Sequence, residues 1–206
     1  MDKFVSLTAV AAPLMRANID TDVIIPSREM KGVAKTGLSV GMFANWRYTD
    51  VPNRVEDPAF ILNRDPFRRA EIMLAGSNFG CGSSREHAVW AMREWGIRAV
   101  IAPSFGAIYY GNCVRNGILP VTLAEADVAA IAAWVEAAPD ANRVAIDLPS
   151  QTVTAAGLSF TFKIGESDKD MLLEGLDPIG VTLKREPQIA AFESRDRTRR
   201  PWVYAV

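Results

Sequence analysis

Apolar residues along this chain gather into short continuous runs separated by turn-forming clusters, and the spacing changes part-way along. The opening run "KFVSLTAVAAPL" reads as a strand, and a second short apolar run, "DVIIP", follows the turn-forming "NIDTD". Residues 27–41, "SREMKGVAKTGLSVG", are polar and punctuated by glycine, which predicts a loop. From Val51 to Arg69 prolines and charges predict irregular structure. Then elements alternate. "AEIMLAG", "RAVIAP" and "ILPVTL" predict strands. Between and after them "SREHAVWAMREWG" predicts a helix closed by Gly96, "SFGAIYYGNCVRNG" one ended by Gly117, and "EADVAAIAAWVEAAP" an amphipathic helix. "RVAIDLPSQTVTAAGLSFTFKI" predicts paired strands around Gly157, and a helical region broken near Pro178 and Pro187 follows. Strand–helix alternation argues an α/β fold with a parallel sheet covered by helices, and the early and late strands make it a mixed sheet flanked by helices.

No internal repeat or low-complexity linker divides the chain, so residues 1–206 read as a single domain with a loop at 27–41 and a basic tail at 195–206. The tail's charges suit a solvated end, whereas Trp202 and Tyr204 suit docking against another surface. The 23 Lys and Arg nearly balance the 24 Asp and Glu, which gives no electrostatic case for nucleic acid or an anionic membrane. Local anion sites stay open, since they need only a few donors. No run of about 18 apolar residues is present, and the N-terminus has neither signal nor transit character, so a cytoplasmic location is expected. Cys81 and Cys113 are expected as free thiols, and two cysteines cannot hold an iron–sulfur cluster, which takes about four.

The chemistry concentrates in "GSNFGCGSSREHA", Gly76 to Ala88, which holds Cys81 and the single histidine, His87. It lies between a predicted strand and a predicted helix, where α/β sheets place ligands. Glycines let backbone amides approach an anion, and a helix N-terminus offers unpaired N–H groups. Ser83 or Ser84 is expected as N-cap, with Arg85 and Glu86 in the first turn. A dinucleotide fingerprint, a P-loop and a nucleophile elbow all fail on spacing. A Cys81 nucleophile lacks a base aimed at it, and no metal ligand set is evident. On composition, an anion site and a plain capped helix fit equally.

The stretch "NFGCGSSREHA" resembles the signature of the small subunits of 3-isopropylmalate dehydratases, the swivelling domain of the aconitase superfamily. "NIDTDVIIP", "MFANWRY", "VIAPSFGAIYYGN", "GILPVTL" and "GLDPIGVTL" agree in family order over almost the whole chain. The resemblance implies a swivelling β/β/α domain and a heterodimer with a large subunit that carries a [4Fe–4S] cluster, none being bound by this chain. It implies isomerisation of 2-isopropylmalate and 3-isopropylmalate through 2-isopropylmaleate, a leucine-biosynthesis step. It implies Ser83 as catalytic base, and Ser84 and Arg85 as ligands of a dicarboxylate substrate. Loop 27–41 is implied to face the group that distinguishes substrates. There Met30 and Val33 offer an apolar wall for an isopropyl group, Lys35 a further carboxylate contact, and Glu29 is expected to face solvent. Because Glu29 and Met30 depart from the family pattern, a related hydro-lyase acting on citraconate, dimethylmalate or a homoaconitate-like acid is the alternative, and a non-catalytic anion-binding module the third reading. His87 and Cys81 are left as loop support and small packing residue, and Asp20, Thr21 and Asp22 as turn-makers.

Overall fold

A computed structural model describes residues 1–30, 35–83 and 85–204. The opening run is two strands, β1 (Ser6–Ala9) and β2 (Ala11–Leu14), divided at Val10. In chain order there follow α1 (Thr21–Ile24), α2 (Ala44–Arg47), a small hairpin of β3 (Tyr48–Asp50) and β4 (Val55–Glu56), and β5 (Ile72–Ala75). Next come α3 (Glu86–Trp95), β6 (Ala99–Ala102), α4 (Ala107–Arg115), β7 (Leu119–Thr122) and α5 (Glu125–Ala137). β8 (Val144–Asp147), β9 (Thr152–Ala155) and β10 (Leu158–Thr161) precede three helices, α6 (Glu166–Glu174), α7 (Pro178–Leu183) and α8 (Glu186–Arg199).

The mixed α/β character is realised as two main sheets. One is parallel, in the order β2-β5-β6-β7, and the other antiparallel, in the order β1-β8-β9-β10. The chain changes sheet at Val10, so one extended run ties the two together. Burial explains the sorting. β2, β5 and β6 are buried at every position, as befits parallel strands covered on both faces. β8 and β9 alternate between buried and partly exposed positions, the pattern of strands with one face toward the core.

The helices follow the predicted signals, with one correction at a start. In α5, Val128, Ile131, Ala132 and Val135 are buried, the spacing of a single helical face, and the helix lies across β2, β5 and β6. Gly96 ends α3 in the left-handed region (φ 112°), its N–H reaching the carbonyls of Met92 and Arg93. The N-cap of α3 is Arg85, without a side-chain cap bond, rather than Ser83, and Ser84 lies outside the described residues. The run "DVIIP" is not extended: Asp20 Oδ1 accepts the Val23 N–H at 2.7 Å and caps the helical turn α1. The tail is not frayed either, since α8 reaches Arg199 and a 3₁₀ turn spans Pro201–Val203.

The parallel sheet carries most of the apolar burial, and truncation there is expected to cost most. Ile101, wholly buried in β6, should lose about 2–5 kcal/mol on Ile101→Ala, whereas Leu158→Ala on the edge strand β10, 58 % exposed, should cost under about 1 kcal/mol. Urea unfolding of the two variants checks the contrast.

Candidate functional site

β2, β5 and β6 run parallel, and beyond their carboxyl ends the backbone continues as three adjacent segments. Gly80 N–H donates to the Ile19 carbonyl at 2.7 Å and Thr21 N–H to the Cys81 carbonyl at 3.0 Å. On the other side Phe79 N–H reaches the Ser104 carbonyl at 3.0 Å, and Gly106 N–H the Phe79 carbonyl at 2.9 Å. The stretch singled out by its composition is therefore strung between the extensions of two neighbouring strands. Its glycine content has a steric reason at Gly80. There φ is +71°, and a Cβ would lie 2.1 Å from Cγ of Tyr109. Tyr109 cannot give way, being buried, edge-on to Phe79 at 5.4 Å and hydrogen-bonded from its hydroxyl to Met92 Sδ at 2.8 Å.

Ser83 emerges from this frame exposed, beside a cleft of about 310 Å³ whose lining includes Thr21, Asn78, Cys81, Arg85 and Ile108. Its carbonyl accepts from Thr21 Oγ1 at 2.7 Å, and its Oγ accepts from Arg85 Nε at 3.1 Å. Arg85 is itself ion-paired through Nη1 with Asp22. Thr21 and Asp22, read from the sequence as turn-makers only, thus fix the serine and aim the arginine. The available signal was that the arginine of a buried-edge loop needs a carboxylate, and "DTD" is the acidic group in the neighbouring turn. The chemical consequence is a hydroxyl oxygen held against a cation, which favours its anionic form and any anion bound alongside.

The loop residues sit elsewhere. The Lys35 ammonium lies over the Trp90 ring, 4.8 Å from its centroid, in a separate shallow hollow shared with Arg93 and Glu94. Met30 is partly buried against the core. Val33, like Ser84, lies outside the described residues. The expectation that Glu29 faces solvent is corrected. Its side chain is 8 % exposed, paired with Arg54 at 2.5 Å and with Arg28 at 3.6 Å. Space for it exists because residue 41 is glycine: a Cβ at Gly41 would lie 2.6 Å from Glu29 Cβ. Glu29 therefore turns inward as a neutralised anchor, lining a cleft with Arg28, Thr49, Asp50 and Arg54 that is separate from the one beside Ser83.

Past the undescribed residues 31–34, a second carboxylate takes hold. Glu94 accepts from the consecutive backbone amides of Gly37, Leu38 and Ser39 at 2.6, 2.6 and 2.7 Å. Arg47 Nη1 donates to the Ser39 carbonyl at 2.9 Å and Tyr48 Oη to the Val40 carbonyl at 2.9 Å. Burial by itself would raise the Glu94 carboxyl, but the three amides and the Ser39 side chain outweigh it and hold the group below the usual carboxylate range.

The two thiols and the histidine differ in placement, Cys81 lining the cleft beside Ser83 and Cys113 lying in the core. Cys113 is wholly buried, which pushes its thiol far above the ordinary value, while Cys81 is partly exposed and free. With one cysteine locked in the core, the residues of this chain do not fit an iron–sulfur cluster. Burial also explains why Cys113 is a poor metal ligand, since the thiolate is the ligating form. His87 packs against Trp90, with ring centroids 4.7 Å apart.

Comparison with known proteins agrees with this geometry. Residues 1–126 match the aconitase C-terminal domain, so the parallel sheet with its loaded carboxyl edge is a domain of that class. Residues 179–206 match the C-terminal domain of the 3-isopropylmalate dehydratase small subunit. The chain is 55% identical to the 3-isopropylmalate dehydratase small subunit of Cupriavidus necator over 205 residues, 99% of each chain. It is 48% identical to that of Roseobacter denitrificans over 204 residues, 98% of this chain and 100% of the other. A crystal structure of 3-isopropylmalate dehydratase from Methanocaldococcus jannaschii matches with a TM-score of 0.64 at 25% identity, covering 90% of this chain and 98% of that one. The chain belongs to the family of 3-isopropylmalate dehydratase small subunits.

The Glu94 clamp generates a pH-dependent expectation. Because its folded pKa is depressed, its contribution is fully present above the ordinary glutamate value of about 4.3 and is lost as pH falls through the lower folded value. The gap in melting temperature between wild type and Glu94→Ala should therefore be open at neutral pH and narrow toward pH 3. At neutral pH the amides of Gly37–Ser39 should exchange faster in Glu94→Ala, because they lose the carboxylate that accepts them. Calorimetric melting reads the first and hydrogen exchange followed by mass spectrometry the second.

Proposed function

We propose that this chain works as the proton-transferring and substrate-holding half of a two-subunit hydro-lyase, interconverting 2-isopropylmalate and 3-isopropylmalate through 2-isopropylmaleate in leucine biosynthesis. The observation that carries the reading is the Arg85 Nε–H contact on Ser83 Oγ, at the carboxyl edge of a parallel sheet. Ser83 Oγ takes the proton from the carbon beside a substrate carboxylate while the hydroxyl leaves the neighbouring carbon. After the alkene forms, the proton is returned to that neighbouring carbon and the hydroxyl to the first. The cluster of the large subunit would supply the Lewis acid that accepts and returns the hydroxyl. A serine hydroxyl is a weak acid, so its anionic form needs help. The guanidinium at 3.1 Å and the free amides at the start of α3 supply it. Ser84 and Arg85 hold the carboxylate, Arg85 as a planar fork. Met30, Val33 and Lys35 of loop 27–41 face the isopropyl group and the second carboxylate once the complex is assembled.

The [4Fe–4S] cluster, which this chain's residues do not fit, comes from the large subunit. Association is as a heterodimer or a multiple of it, in the cytoplasm; among the described residues no helix is long and apolar enough to cross a membrane. The alternative substrates rested on the Glu29–Met30 departure, and Glu29 is neutralised by Arg54 in a cleft that shares no lining residue with the one beside Ser83. Against a non-catalytic module, the relatives matched over essentially their full length carry enzyme names.

In the reconstituted complex with a cluster-loaded large subunit, Ser83→Ala is expected to abolish formation of 2-isopropylmaleate from 3-isopropylmalate. Arg85→Lys removes the fork and the donor on Oγ, and should lower turnover by about 10²–10³-fold, the scale for loss of one preorganised donor. Full activity of Ser83→Ala in an assembled complex would overturn the assignment. Turnover of citraconate in place of isopropylmalate would restore the related hydro-lyase.

A further inference from the structure

The C-terminal arm is built differently from the rest of the chain. α7, α8 and the 3₁₀ turn at Pro201–Val203 together bury one side chain, Asp196. Every other residue of α8 is exposed. A helix of this length is marginal in water unless a face of it packs on something. Its apolar residues are turned outward instead: Phe192 is 52 % exposed, Ile189, three residues earlier on the same face, is also exposed, and Trp202 is 70 % exposed.

Trp202 is nevertheless held in place. Asp196 accepts from Arg200 Nε at 2.8 Å, from Arg200 Nη2 at 2.7 Å and from Tyr204 Oη at 2.9 Å, and the Arg197 guanidinium lies 4.4 Å from the Tyr204 ring centroid. This polar lock spans the tryptophan and fixes the turn that presents it. Side chains of these types, tryptophan, phenylalanine and arginine, dominate the binding energy of protein interfaces. A preorganised aromatic display also lowers the ordering cost of association.

We propose that this arm is the docking surface for the cluster-bearing large subunit; the inference rests on the two-subunit reading above. Two observations choose that occupant. The core, residues 1–126, matches a domain named as the C-terminal part of aconitase, whereas residues 179–206 match a domain named for dehydratase small subunits. The match named for small subunits thus falls on the arm, the place where a separate chain could associate without a covalent link. Charge is the second: six basic and three acidic side chains lie between Lys184 and Arg200, which suits an acidic face on the partner.

The test measures the dissociation constant of the full-length chain with its cluster-loaded large subunit, by sedimentation at two salt concentrations. Phe192→Asp and Trp202→Asp are each expected to weaken the complex at least tenfold, with wild-type turnover restored at saturating partner. Both positions lie outside the core, so the thermal unfolding of the isolated chain should not move. Wild-type affinity should fall as salt rises, as screened charge pairs require. Asp196→Asn keeps the apolar residues but weakens the lock, and should raise the dissociation constant by a smaller factor. Unchanged affinity in both aspartate variants overturns the inference while leaving the two-subunit reading intact. Failure of the wild-type chain to bind the large subunit overturns both. Self-association of the isolated chain that the same variants abolish, with heterodimer affinity untouched, assigns the arm to a second copy and also overturns it.

Discussion

Between Ile19 and Ser104 the backbone of residues 79–80 runs so close to its neighbours, and so near the Tyr109 ring, that no side chain fits at Gly80. The rest of the site inherits its geometry from that constraint. Because the backbone is pinned on both sides, the Cys81 carbonyl meets the Thr21 amide, and the Ser83 carbonyl meets the Thr21 hydroxyl at 2.7 Å. The serine oxygen is then delivered next to the Arg85 guanidinium at the start of α3. A hydroxyl used as a base has no slack in position. Misplacement by about 1 Å can cost about 10²-fold in rate, so a site built on close backbone packing is worth the loss of conformational freedom that glycine brings.

Carboxylates organise the periphery of this site. Asp20 caps α1, Asp22 steers Arg85, Glu29 neutralises Arg54 and Glu94 gathers three amides. These contacts differ in weight. An exposed ion pair contributes little, about 0–1 kcal/mol, since solvent screens it. A carboxylate taking several short backbone N–H bonds is stronger and more directional, because each bond is charge-assisted. Glu94 holds the outgoing limb of loop 27–41 through backbone amides, and the incoming limb is held by Glu29, paired with Arg54 and packed against Gly41.

What could be read beforehand followed from local physics. The glycine stops of α3 and of the helix before Gly117, the apolar face of α5 and the continuous runs of β5 and β6 are each set by nearest-neighbour sterics or by burial, and each lies where its pattern put it. The position of Ser83 and Arg85 beyond the carboxyl end of a strand was legible through the strand–glycine–helix order, whereas the roles given to them came from the family resemblance. The misses share a cause. "DVIIP" has strand-like composition, yet one capping bond from Asp20 makes it helical, and Asp20 is available only because its backbone pairs with Cys81, 61 residues away in sequence. Glu29 looks like a surface charge until Arg54 and Gly41, distant in sequence, create a niche for it. The separation of the strands into two sheets is decided by which faces other elements cover, which a linear pattern does not contain.

For all this bracing, the serine itself lies open. Ser83 is exposed beside an open cleft, whereas proton transfer through an arginine-stabilised oxygen is effective only where water is excluded and the dielectric is low. In bulk water the attraction of two unit charges at 4 Å falls to about 1 kcal/mol, against about 4 kcal/mol at a partly shielded surface. Under the proposed function, closure of this cleft by a partner would strengthen the Arg85 contact on Ser83. The arm of α7 and α8, carrying outward aromatics on a helix that buries only one of its own residues, has the complementary deficit, being stable and ordered at the expense of exposed apolar surface. One large partner seated across both would dry the first and cover the second. The proposed partner would thus answer two separate features of this chain, the open cleft and the exposed aromatics of its last helix.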